Sequence, residues 1–206
     1  MSHPPDTACM DSLDAVWADI WPRLVRGKAD RRSPLHTLSV GTIAQGGRPD
    51  QRIMVLRAVD VVASTLRFHT DARSSKVRSA ADEQPVSVLG YDPGAKVQLR
   101  LSGIARVHCN DDLADAAWAA STLSSRRCYL AEPGPGTEIA VGDAGLPAHL
   151  VARVPTASET SPARAHFAVL VASIDSIDWL YLAAAGHRRA RFATDGAGWS
   201  GRWLIP

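Results

Sequence analysis

Cysteine is scarce in this chain. There are three residues, Cys9, Cys109 and Cys128, odd in number and far apart. Such spacing argues against a disulfide framework and against a zinc site of the CxxC type, and thiols kept free in a reducing compartment are expected. Long apolar runs are missing as well. None approaches the ~18 residues a membrane-spanning helix needs, and the acidic N-terminal stretch has no apolar signal core. A cytoplasmic protein with no membrane partner is therefore expected. Charge of one sign is not in surplus: 23 basic against 21 acidic side chains leave a formal +2, which gives no warrant for a nucleic-acid partner. The seven histidines are scattered without HxxxH spacing, and neither a GxSxG elbow nor a GxGxxG loop occurs, so no metal, hydrolase triad or dinucleotide loop is expected. No internal repeat is present. Lysine is confined to positions 28, 76 and 96, with arginine serving elsewhere. Lys76 is conspicuous for that reason.

What is present suffices for a real core. At 206 residues and 46% hydrophobic content, the chain reads as one domain with an extension: residues 1–34 as tail and helix, 35–206 as the main domain. Residues 1–10 read as a frayed tail. Leu13, Val16, Trp17, Ile20 and Leu24 follow helical spacing, capped by Asp11 or Ser12, and Pro22 is expected to kink or split that helix. From Leu35 the period shifts toward two. Strands are expected over 36–44, 51–59, 65–70, 85–91, 96–108, 166–183 and 187–194, with a hairpin turn at Gln45-Gly46-Gly47-Arg48-Pro49 and a bulge at Gly103. Helices are expected over 74–82 and 111–123, the latter capped by Asn110 or Asp111. The acidic run beginning at Asp111 is most simply a helix N-terminus. Residues 130–163, rich in Pro, Gly and Ala, read as a long irregular loop. Six to seven mostly antiparallel strands with few helices predict a mainly β fold, a β-barrel with flanking helices.

The most telling residues form two segments. Arg52-Ile53-Met54-Val55-Leu56-Arg57 reads as a buried strand with a cation at each end. Phe68 to Lys76 ends a strand and then offers Thr70, Arg73, Ser74, Ser75 and Lys76. Cations supply Coulomb attraction and hydroxyls directed hydrogen bonds, which suits a phosphate dianion; a helix beginning at Ser74 or Ser75 would add its free N–H groups. A solvated turn followed by an ordinary capped helix is the open alternative.

These segments, together with Gln98 in Val97-Gln98-Leu99 and the C-terminal His187-Arg188-Arg189-Ala190-Arg191-Phe192 with Trp199 and Pro206, resemble in order the pyridoxamine 5′-phosphate oxidase-like, FMN-binding split-barrel family, in its uncharacterised oxidase-related branch. The resemblance covers about residues 34–206. It implies an FMN-binding split barrel with FMN bound between the subunits of a homodimer. It also implies cofactor contacts from Arg52 to the phosphate, from Ile53, Met54, Val55 and Leu56 along the isoalloxazine, and from Thr70, Ser74, Ser75 and Lys76 at the phosphate-binding turn. Gln98 and Arg191 would lie beside the flavin ring. Read from the residues alone, Gln98 is equally a surface strand residue. Tyr181 or Leu182 falls near a flavin-stacking position, and Trp179 is a further candidate for it, with core packing as the alternative for Trp179 and Tyr181.

Departures bear on function. Arg57 stands where the oxidases place a Lys toward substrate phosphate. Ser75 stands where they have Arg, and Arg73 is a second source of that charge. The final Arg-x-His-Asp-Arg run is here His187-Arg188-Arg189-Ala190-Arg191. Arg57, Arg126, His187 and Arg188 are expected to line an anionic substrate's pocket, although Arg126 and Arg127 also fit a solvated helix end. The expectation is an FMN-dependent oxidoreductase for a small anionic or phosphorylated substrate, with weak or absent oxidation of pyridoxamine 5′-phosphate itself. Two alternatives stand beside it: a non-catalytic flavin-binding or sensing protein, and a deazaflavin-dependent reductase.

Overall fold

The computed structural model describes residues 11–78 and 83–206. The expectations for residues 1–10 and for helix beyond Arg78 lie outside them. The first helix, α1, runs unbroken over Leu13–Ala29, capped by Ser12, whose Oγ accepts from the Ala15 N–H at 3.4 Å. Pro22 lies inside it without splitting it into two. Proline removes one N–H and disturbs the carbonyl four residues back. That carbonyl belongs to Ala18, and both residues lie on the exposed side, where water takes the lost bond. The opposite stripe of Val16, Ile20, Trp21 and Leu24 is buried in the same core as the strands, which holds the helix together across the proline.

Eight strands follow: β1 Thr37–Ile43, β2 Pro49–Asp60, β3 Thr65–Asp71, β4 Gln84–Asp92, β5 Val97–His108, β6 Phe167–Tyr181, β7 Arg188–Thr194 and β8 Trp199–Leu204. Neighbouring strands pair antiparallel in the order β3-β2-β1-β4-β5-β6-β7-β8, and a further β3–β6 pairing closes six of them into a barrel, with β7 and β8 as an extension. β8 exceeds the six to seven strands expected. The middle of β8 is exposed, with Trp199 and Leu204 half-buried at its ends, so it carries no alternation to read. Its approach to β7 depends on Gly201, where a Cβ would meet the Phe192 ring at 2.5 Å.

Period-two burial is clear on β1, β3, β4 and β5. Leu38, Val40, Leu56, Leu66, Phe68, Val88, Leu99, Leu101 and Leu170 fill the barrel. β6 is buried on both faces, because its outer face lies beneath α3 (Asp112–Ala120), with Phe167 and Val169 packing against Ala114, Trp118 and Tyr129. The expected second helix ends early at Ala120 and resumes as the short α4, Leu123–Arg126, under its own Thr122 cap. At Gly103 the β5–β6 register shifts as expected of a bulge. A Cβ there would lie 1.9 Å from the Ser173 carbonyl oxygen, so the close crossing requires glycine. The 130–163 stretch is mostly irregular but contains one-turn helices, one of them, Ala157–Thr160, closed by a Thr156–Glu159 capping box.

Candidate functional site

One end of the barrel is closed by α1 and the turn that follows it; Leu35 and Leu38 there sit against Gly90. The other end finishes in polar groups. Alternation along β1 and β2 sends Leu38 and Met54 inward, then Val40 and Arg52, then Thr42 and Asp50, as cross-strand pairs. The Arg52 guanidinium donates to the Val40 carbonyl at 3.1 Å and to Thr42 Oγ1 at 2.8 Å, and it pairs with Asp50. Thr70, at the inward end of β3, and Ser74, in the turn before the short helix α2 (Ser75–Arg78), are both buried. Lys76 Nζ donates to Ser74 Oγ at 3.0 Å. Burial, and then the nearby Arg52 charge, push the Lys76 ammonium below its ordinary pKa. Gln84 is buried beside them, its amide donating to the Lys76 carbonyl while Oε1 has no partner.

This donor set fits a phosphate. Two neighbouring cations, Arg52 and Lys76, are partly desolvated, the Ser74 hydroxyl lies against Lys76, and two carboxylates, Asp50 and Asp71, offset only part of the charge. An incoming dianion would relieve the repulsion felt by Lys76. Ser75 is exposed, at the start of α2. Arg73, a second possible source of charge at this turn, is instead forked onto Asp71, with bonds of 3.0 and 2.8 Å, and donates to the Ala131 carbonyl.

The backbone beside this cradle is open. β2 pairs with β1 over Pro49–Val55 but with β3 only from Leu56 onward. One backbone edge of residues 52–55 is therefore left without a strand partner next to Thr70 and the Ser74–Lys76 turn. The side chains on this strand divide. Met54 and Leu56 are core residues, 6% and 1% exposed, whereas Ile53 is 68% exposed on the outer face. Any ligand lying along the strand would meet backbone, Ile53 and Val55, but not the Met54 and Leu56 side chains. Arg57 is the extra residue of a bulge, where β2 shifts register against β3. Bulges re-aim side chains, and Arg57 lines a cleft outside the barrel together with Arg67, His69 and α3.

Gln98 and Arg191 are not brought to the cradle within one chain. Cross-strand pairing sets Arg52, Val40, Val88 and Leu101 side by side on the interior. Gln98 lies three residues further along β5 on the opposite, outer face, and Arg191 is two strands beyond. There Arg100, Arg189 and Arg191 approach the buried Asp178 carboxylate at 3.8, 2.8 and 3.5 Å. One acid among three arginines leaves that face cationic, and Arg191 Nε is buried without a partner. Trp179 fills the barrel core and Tyr181 stacks on it at 6.3 Å, the core-packing alternative.

The remaining substrate-side residues are largely engaged elsewhere. Arg126 donates to the Trp118 and Ala119 carbonyls at the end of α3 and lies 4.8 Å over the Trp118 ring, which is the helix-end role. Arg188 pairs with Asp11 at 2.8 Å. His187 is exposed in the β6–β7 connection. Sequence reasoning missed Thr42, Asp50 and Gln84 in the cradle, Asp178 on the outer face, and the residues that share the cleft with Arg57, namely Lys28, Arg31, Arg67 and His69. Only Thr42 left a signal, two residues from Val40 on the inward face of its strand.

A six-stranded antiparallel barrel, opened along half of one strand and carrying a phosphate-type cradle at that opening, defines the split-barrel class of flavin-binding domains. Residues 14–109, a little under half of the chain, match the family model "Pyridoxamine 5′-phosphate oxidase, FMN-binding domain". Among solved structures, a pyridoxamine 5′-phosphate oxidase-related, FMN-binding protein from Nostoc punctiforme PCC 73102 is similar over 96% of this chain and 100% of its own, with 22% identity and a TM-score of 0.69. PhzG from Burkholderia lata 383, in complex with tetrahydrophenazine-1-carboxylic acid, is similar over 94% of this chain and 90% of its own, with 18% identity and a TM-score of 0.62. At these identities the two structures speak to the fold. No curated protein matches the chain in sequence. Among the described residues no helix is long and apolar enough to cross a membrane, and no group of ligating side chains is set to hold a metal ion.

Proposed function

We propose that the protein is an FMN-dependent oxidoreductase acting, as a homodimer, on a small anionic substrate. The observation that carries this reading is the partly desolvated pair Arg52 and Lys76, set with Thr70 and Ser74 beside the open backbone edge of residues 52–55. Arg52, Thr70, Ser74 and Lys76 hold the phosphate, with Ser75 at its outer rim. The free backbone groups of 52–55 face the polar edge of the ring. When bound, FMN supplies the two-electron redox chemistry. Arg57, turned out by its bulge, holds an anionic group of the substrate next to the ring.

A second copy is needed because Gln98 and Arg191 stand at the far end of their own barrel. From the partner subunit they would reach the ring, where a cation favours negative charge on the reduced flavin. The outer sheet face supports such a partner: Ile53 on β2 and Leu89 and Tyr91 on β4, the two strands that flank β1, are 68, 40 and 43% exposed, a set with the character of an interface.

Purified protein is expected to be yellow, or to take up FMN near one per chain. Colourless protein that quenches no flavin fluorescence would overturn the reading. A non-catalytic flavin-binding role is the second reading, favoured by the engagement of Arg126, Arg188 and Arg189 in structural contacts. Anaerobic reduction by candidate donors separates the two. A bound flavin that photoreduces normally but accepts electrons from no anionic donor is the signature of the second.

A further inference from the structure

Outside the barrel, between the C-terminal end of α1, the outer face of β2 and β3, and the C-terminal half of α3, lies a cleft of about 430 Å³. That volume falls in the range of small-molecule sites. Lys28, Arg31, Arg57 and Arg67 line it with no acidic side chain among the lining residues. No carboxylate of the described residues stands within salt-bridge distance of any of the four. Several other partly buried arginines are answered by a carboxylate: Arg23 by Asp92, Arg73 by Asp71, Arg164 by Asp115 and Arg189 by Asp178. Four unanswered cations around one concavity focus a positive potential in it.

The cations come from two directions. Arg57 and Arg67 rise from the sheet, while Lys28 and Arg31 reach in from the end of α1. His69 lies on the sheet side, its ring edge-on to Phe167 at 4.8 Å. Burial and the two neighbouring arginines lower its pKa to about 4, so it offers ring nitrogens for hydrogen bonding without adding charge.

We infer that this cleft binds a small ligand bearing two anionic groups on a short spacer, with Arg57 and Arg67 gripping one group and Lys28 and Arg31 the other. A single anionic group would leave one bank of cations unanswered. The inference deepens the proposed function, resting on it for the role of Arg57, and it adds Lys28, Arg31, Arg67 and His69 to the substrate side.

The test compares 3-phosphoglycerate, which has a phosphate and a carboxylate, with glycerol 3-phosphate, which has the phosphate alone. Calorimetry at about 0.15 M salt, where diffuse attraction is screened, is run on FMN-saturated and on FMN-free protein. The doubly anionic probe is expected to bind about tenfold or more tightly, in line with added charge-assisted hydrogen bonds. The double variant Lys28→Ala/Arg31→Ala, altered only at exposed positions, should bring the two probes within about threefold. Arg67→Gln should weaken both probes and leave FMN affinity unchanged. Equal binding of the two probes, or a preference that survives the double variant, overturns the inference. If the preference is present but FMN does not bind, the cleft stands and the flavin reading falls. If FMN binds without the preference, the reverse holds.

Discussion

Replacing Lys76 by methionine keeps the length of the side chain and removes its charge. Two effects of opposite sign follow. In the free protein, burial and the Arg52 charge act against the ammonium, so its removal relieves a penalty, while the 3.0 Å bond to Ser74 is lost. A hydrogen bond from a charged donor contributes roughly 1.5–3 kcal/mol, which the relief of burial and repulsion offsets, so the melting temperature of FMN-free protein should change by no more than about 3 °C. With FMN the change runs one way. A charge-assisted bond to phosphate contributes roughly 1.5–3 kcal/mol, or ten- to a hundred-fold in affinity. Flavin fluorescence quenching measures this, and riboflavin isolates it. The FMN dissociation constant should rise ten- to a hundred-fold, while the weaker riboflavin constant moves less than about twofold, so the coupling between Lys76 and the phosphate is read directly. Arg153→Ala, at a surface pair with Glu159, serves as the control. FMN affinity within twofold of wild type, or an equal loss for riboflavin, would show that the phosphate is held elsewhere.

Gly103→Ala should destabilise the protein by at least about 2 kcal/mol, or roughly 4–8 °C in melting temperature, because the added Cβ meets a backbone oxygen that cannot move aside. His69 has a folded pKa near 4 against an ordinary 6.5. The unfolded chain therefore takes up the proton first, and stability falls as pH drops from about 6.5 toward 4. In His69→Phe the fall in melting temperature over that window should be measurably shallower; an unchanged slope would count against a neutral, buried His69. Sedimentation at micromolar protein should give a dimer of the 22.0 kDa chain, and Ile53→Asp should shift it toward monomer. A wild-type monomer with FMN bound would contradict a shared site.

Much of this protein is local in origin and so was present in the linear sequence. Period-two burial, the Gly46-Gly47 hairpin turn with both glycines at positive φ, the Ser12 and Asp111 caps and the Gly103 bulge all arise from a residue and its near neighbours. The cradle was legible in part for the same reason: Thr70, Ser74 and Lys76 share one turn, and Arg52 ends a neighbouring strand. Other features belonged to the tertiary structure alone. Closure through β3 and β6 joins Asp71 to Phe167, far apart in sequence. Register placed Thr42 and Asp50 against Arg52, and the bulge turned Arg57 out of the barrel. β8, half-buried only at its two ends, carries no alternation to read. Arg126 looked like a ligand cation until packing put it over Trp118 and onto the end of α3. The cationic cleft is the clearest case. Lys28, Arg31 and Arg67 are unremarkable one by one, and only docking α1 beside β2 and β3 sets their charges around one space with Arg57, because electrostatic repulsion depends on distance through space and not along the chain.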